Sequence, residues 1–137
     1  MRYLAIDFGT KRVGLALSDE GGHMGFPHGT LPNNGRLIDE VLELIARKDV
    51  GVVVIGESRN YDGTPNPVAK AAKEFGTLIE RRLVGMPVVF EPETLTTQEA
   101  RRNFEGVREP GSGNLHVDAS AAALILTSYL DKQTAHG

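Results

Sequence analysis

Two spacings of apolar residues divide this chain. Runs rich in β-branched or aromatic side chains, bounded by glycine, proline or charge, occur at Tyr3–Ile6, Val13–Leu17, Val52–Ile55 and Val88–Phe90. With a weaker run at Gly25–Thr30, they predict strands. The first two are separated only by DFGTKR, and the turn signal DEGG follows the second, so they should pair as an antiparallel hairpin. VVVI and VVF lack polar alternation and each follows a helical segment, the pattern of buried parallel strands. Helical spacing links Leu37, Val41, Leu44 and Ile45, and again Val68, Ala72, Phe75, Ile79 and Leu83. Asn66 and Pro67 suit the N-cap and first position of that second helix, and Gly85 with Pro87 ends it. Thr96 with Glu99 makes a capping-box pattern that opens a third helix carrying Ala100 and Phe104. Ala121, Ala122, Ile125, Leu126 and Tyr129 form the stripe of a last helix laid on a sheet. Tyr61–Pro65 and the REPGSGN stretch from Arg108 to Asn114 read as mobile loops. The sum is an α/β sandwich with a mixed sheet, expected as a single domain over residues 1–137.

Composition narrows the chemistry. With 137 residues the chain can bury an ordinary core without staples. The absence of cysteine excludes a disulfide framework, a thiolate nucleophile and Cys-ligated zinc or iron–sulfur sites. The four histidines are scattered, and His116 reads as a helix-start residue rather than a ligand. MRYLAIDFGT has too short an apolar run for a signal h-region and no later stretch approaches membrane-spanning length. The expectation is a soluble, cytoplasmic protein with no membrane partner. A net charge of −3 and a pI of about 5.8 leave no global cationic field, so a nucleic-acid site must be a local patch. No G-x-S-x-G, Walker or dinucleotide fingerprint is present.

Loops leaving the carboxyl ends of strands converge on one edge of such a sheet. Asp7 ends the first predicted strand, Glu57 follows VVVIG, Glu91 and Glu93 follow PVVF, and Asp118 falls in the first turn of the last helix. Carboxylates gathered in a small volume require a cation, and all-oxygen ligation suits Mg²⁺ or Mn²⁺. Two such ions roughly 4 Å apart would activate a water and stabilise the leaving oxygen of a phosphodiester. In that arrangement Asp7 holds metal, Gly9 allows close backbone approach, and Lys11 and Arg12 meet the phosphates of a nucleic-acid strand. Each residue also has a plainer role. Asp7 could form an Asx-turn, Asp118 could complement a helix N-terminus, Glu57, Glu91 and Glu93 could be surface acids, and Lys11 and Arg12 solvated turn charges.

DFGTKRVGLALSD at the start, NYDGT at Asn60–Thr64, the acid followed by LTTQEA at Glu93–Ala100, and VDASAAALILTSYL at Val117–Leu130 resemble the YqgF/RuvX family. That family is related to the RuvC resolvase within the ribonuclease H-like superfamily, and the likeness covers nearly the whole chain. It implies a ribonuclease H-like three-layer fold, its mixed sheet having antiparallel N-terminal strands and helices on both faces. It also implies a metal-dependent nuclease that matures the 5′ end of pre-16S rRNA or cuts branched DNA. The family's catalytic, metal-holding acids fall on Asp7, Glu93 and Asp118.

Three departures bear on that reading. Thr94 stands where an arginine usually follows the second acid. Glu57-Ser58 replaces an apolar-proline pair and makes Glu57 an alternative ligand. REPGSGNLH replaces a cation-rich loop, which should weaken the grip on phosphate. Junction cleavage, which cuts two symmetric strands, would require a homodimer. Two other functions compete. Asp-x-Gly-Thr after a first strand also opens the phosphate loop of actin-like kinases, but those need two such domains. A non-catalytic nucleic-acid-binding module of the same fold is the other.

Overall fold

The computed structural model describes residues 1–57, 67–92 and 115–136, with the side chains of the last helix described from 119 to 134. In chain order the elements are β1 (Arg2–Phe8), β2 (Arg12–Ser18), β3 (Gly25–Pro32), α1 (Leu37–Arg47), β4 (Val50–Glu57), α2 (Pro67–Arg82), β5 (Val88–Pro92) and α3 (Leu115–His136). The strands form one five-stranded sheet in the order β3-β2-β1-β4-β5. β1 and β2 pair antiparallel, as do β2 and β3, whereas β1–β4 and β4–β5 are parallel. The expected hairpin and both parallel strands are therefore present, and the weak third run is a full edge strand.

Local chemistry explains the turns. After β2 the Asp19 carboxylate accepts the backbone N–H groups of His23 at 2.7 Å and Met24 at 2.8 Å, and Gly22 takes φ +72°. These amides stabilise the anion and hold the Asp19 carboxyl well below its ordinary range. The start of α1 has Asn34 Oδ1 accepting the Arg36 N–H at 2.9 Å, and Asp39 and Glu40 in the first turn complement the helix dipole.

Strand alternation sorts the core into two layers. On one face Leu4, Ile6, Val13, Leu15, Val53 and Ile55 pack with α1 and α2 through Val41, Leu44, Phe75 and Ile79. On the other, Ala5, Ala16, Val52 and Val54 pack with Ala122, Ile125, Leu126 and Leu130 of α3. Full burial of a side chain such as Ile79 contributes roughly 2–3 kcal/mol. Gly76, in the middle of α2, faces Phe90, Ile55 and Val88 so closely that an added Cβ would lie 2.9 Å from the Phe90 ring. The missing side chain lets α2 settle directly on β4 and β5. The expected helix opening at Thr96, the Asn66 N-cap and the loops at Tyr61–Pro65 and Arg108–Asn114 lie outside the described residues.

Candidate active site

Asp7 is the penultimate residue of the central strand, and it is buried, with 6% of its surface exposed. Its neighbours in β1, Ile6 and Phe8, belong to the α1/α2 side, where Phe8 rests on Phe75 with ring centroids 5.4 Å apart. Alternation therefore turns Asp7 toward the α3 face, beneath the helix whose first turn contains Asp118.

The register around Asp7 gives it two glycines as sheet neighbours. Gly14 of β2 is its direct cross-strand partner. On the other side β1 and β4 are paired through Ile6 and Ile55, so Gly56 is the residue of β4 next to Asp7. Gly56 in turn pairs with Glu91 of β5. Along this row of the α3 face, Asp7 thus stands between two positions that have no side chain.

The loop after Asp7 is closed by contacts from the far end of β3. Asn33 Nδ2 donates to the Gly9 carbonyl at 2.7 Å, and the Asn33 backbone N–H donates to the Lys11 carbonyl at 2.9 Å. A Cβ at Gly9 would collide with the Arg12 carbonyl oxygen. Gly9 is thus required by the turn itself, a plainer reason than close approach to substrate. This closure presents Lys11 in the open and places Arg12 half-buried at the start of β2, on the Asp7 face by alternation from Gly14.

The remaining acids separate. Glu57 ends β4 one residue beyond Gly56, so alternation assigns it to the α1/α2 face, opposite Asp7. Glu91 is on the Asp7 face, but its buried carboxylate is occupied. Ser128 Oγ donates to Glu91 Oε1 at 3.1 Å, and Lys132 Nζ forms an ion pair with the same oxygen. Glu93 and the side chain of Asp118 lie outside the described residues, and among the described residues no group of three or more His, Cys, Asp or Glu residues could hold a metal ion. What is described fits a hard divalent cation in its donor chemistry: a buried carboxylate oxygen donor and no thiolate in the chain. Sequence reasoning missed Asn33 and Lys132. Asn33 reads only as a turn residue, and Lys132 only as a charge one helical turn after Ser128.

A model of the family described as RuvX, Holliday junction resolvase, matches residues 1–132. A protein of Limosilactobacillus reuteri named "Putative pre-16S rRNA nuclease" is 34% identical over 138 residues, covering 96% of this chain and 94% of its own. One of the same name from Lachnospira eligens is 37% identical over 140 residues, covering 97% and 99%. Among solved structures, Thermus thermophilus RuvC in complex with a Holliday junction substrate superposes with a TM-score of 0.62 at 21% identity, over 98% of this chain and 96% of that one.

Proposed function

The chain belongs to the RuvX family of Holliday junction resolvases, and from that premise we propose that it is a metal-dependent endonuclease whose substrate is the 5′ end of pre-16S rRNA. It is a nuclease of ribonuclease H-like fold, a hydrolase of phosphodiester bonds. The observation that carries the site is Asp7, a buried carboxylate at the carboxyl end of the central strand, flanked in the sheet by Gly14 and Gly56. The rRNA substrate is supported by the names of the full-length relatives.

Asp7, Glu93 and Asp118 would hold Mg²⁺ or Mn²⁺. When bound, such an ion supplies a water of lowered pKa and neutralises charge on the phosphodiester. Alternation turns Glu57 away from Asp7, which favours this trio over the alternative with Glu57. Lys11 and Arg12, on the turn held by Asn33, contact the phosphates on either side of the scissile bond and orient the strand. Burial of Asp7 keeps bulk water from competing for its oxygens. The protein would work in the cytoplasm as one ribonuclease H-like domain over residues 1–137. No helix among the described residues is long and apolar enough to cross a membrane.

Branched DNA is the second reading, favoured by the description of the matching family, and it would demand a homodimer. Both are tested by incubating a labelled pre-16S 5′-leader RNA and a labelled four-way DNA junction with wild type and Asp7→Asn in Mn²⁺ or Mg²⁺. The expected result is RNA cleavage that falls at least about 100-fold in the folded variant. Junction cleavage alone would transfer the assignment to DNA. Cleavage unchanged by Asp7→Asn would remove Asp7 from the site, and no cleavage by a folded, metal-binding wild type would leave a binding module of the same fold.

A further inference from the structure

The contact between α3 and the sheet combines large side chains, Ile125, Leu126 and Leu130 against Val52 and Val54, with a set of small ones. Ala119, Ala121 and Ala122 are buried in the helix, and Ala5 and Ala16 lie opposite, with Gly14 and Gly56 in the row of Asp7. Alanine and glycine surfaces pack closely but offer few ridges to resist sliding or rotation of a helix. Two directional contacts add to this packing. One is the tilted pair Tyr3 and Tyr129, with ring centroids 5.8 Å apart. The other is polar. The Glu91 side chain is only 5% exposed, and its Oε1 receives both the Ser128 hydroxyl and the Lys132 ammonium. Burial, then Tyr3, then Glu91 push the Tyr129 phenol above its ordinary range.

Glu91 also stands in the row of Asp7 and on the same face, with Gly56 between them. Two strand spacings put the backbones of the two acids roughly 10 Å apart. We infer that Glu91, clamped by Lys132 and Ser128, is a positioning residue. It sets the slide and rotation of α3 on the sheet, and so the place of the turn containing Asp118 relative to Asp7. The inference deepens the nuclease reading and rests on it for the link to activity. The clamp also distinguishes Glu91 from a metal ligand, because its charge is already matched by an ammonium.

The test compares Lys132→Met, Lys132→Arg, Glu91→Gln and the double variant Glu91→Leu/Lys132→Met. Three readouts are taken: kcat and KM on the leader RNA, Mn²⁺ affinity of the protein alone, and disulfide closure between cysteines placed at Gly25 and Leu126. A Cβ on Gly25 would lie 3.0 Å from the Leu126 Cβ, and the chain has no native cysteine, so closure rate reports helix register. Lys132→Met and Glu91→Gln are expected to lower kcat roughly 10- to 100-fold with KM within about twofold, to weaken Mn²⁺ binding about tenfold, and to slow closure. Lys132→Arg should restore all three. The double variant should recover thermal stability without recovering kcat, since an apolar pair can replace the contact but not its direction.

Recovery of kcat in the double variant would reduce the clamp to a stability contact and overturn the inference. So would a rise in KM at constant kcat in Lys132→Met, which would make Lys132 a nucleic-acid contact. Loss of Mn²⁺ binding in Glu91→Gln with tighter binding in Lys132→Met would make Glu91 a ligand, against the proposal. If the wild type cleaves nothing while closure still slows in Lys132→Met, the nuclease reading fails and the register role of Glu91 stands.

Discussion

At the scale of single residues, the site depends as much on missing side chains as on those present. Asp7 has the glycines Gly14 and Gly56 as its sheet neighbours, and the turn after it closes because Gly9 has no Cβ to meet the Arg12 carbonyl. Gly56→Val should therefore crowd the Asp7 carboxylate while keeping a residue of high strand propensity in β4. The expected outcome is Mn²⁺ binding weakened by about tenfold or more, measured calorimetrically, in a protein that still unfolds cooperatively. Unchanged Mn²⁺ affinity would mean that the ion does not bind on the Gly56 side of Asp7. Asn33 acts one step further out. Its two hydrogen bonds hold the backbone of Gly9 and Lys11, so the cations of the loop are aimed from β3.

Among the elements, the two helical layers are built differently. α1 and α2 cover their face of the sheet with large side chains, and α2 comes close because Gly76 removes one. A glycine in mid-helix forgoes about 1 kcal/mol of helix propensity relative to alanine, so its presence marks the value of that approach. Gly76→Val should push α2 off Phe90, Ile55 and Val88 and destabilise the fold by about 1–3 kcal/mol, read from denaturant unfolding. A neutral or stabilising result would show that α2 can shift without loss. α3 packs on its face with small residues, Ala5, Ala16 and Ala122, as well as large ones, Val52, Val54, Ile125, Leu126 and Leu130, and Glu91 and Tyr3 add directional contacts to its register.

For the whole molecule, a net charge of −3 must coexist with a polyanionic substrate. Attraction has to come from a few local cations, of which Lys11 and Arg12 lie next to Asp7 along the chain. RNA affinity should thus fall with salt on a log–log slope of only about −2 to −4, and the Lys11→Ala/Arg12→Ala double variant should flatten it by roughly 2. A steep wild-type slope insensitive to that variant would place the phosphate grip elsewhere.

The sequence by itself determined the strands, the three described helices and the strand-end acid Asp7, because each is written locally: short apolar runs rich in β-branched residues for strands, a spacing of about four for helices, and turn residues between them. The family resemblance, carried by motifs near both ends of the chain, was legible for the same reason, and it named Glu93 and Asp118 without needing their positions in space. Only the tertiary structure separated Glu57 from Glu91. Both follow a buried apolar run, yet one faces α1 and α2 while the other faces α3 and is held by Lys132, forty-one residues away in the chain. It also decided that Gly14 and Gly56 flank Asp7 and that Asn33 closes the turn beside it. These facts depend on register and on which helix covers which face. Both are set by packing between segments remote in sequence, and a local pattern contains no record of its distant partner.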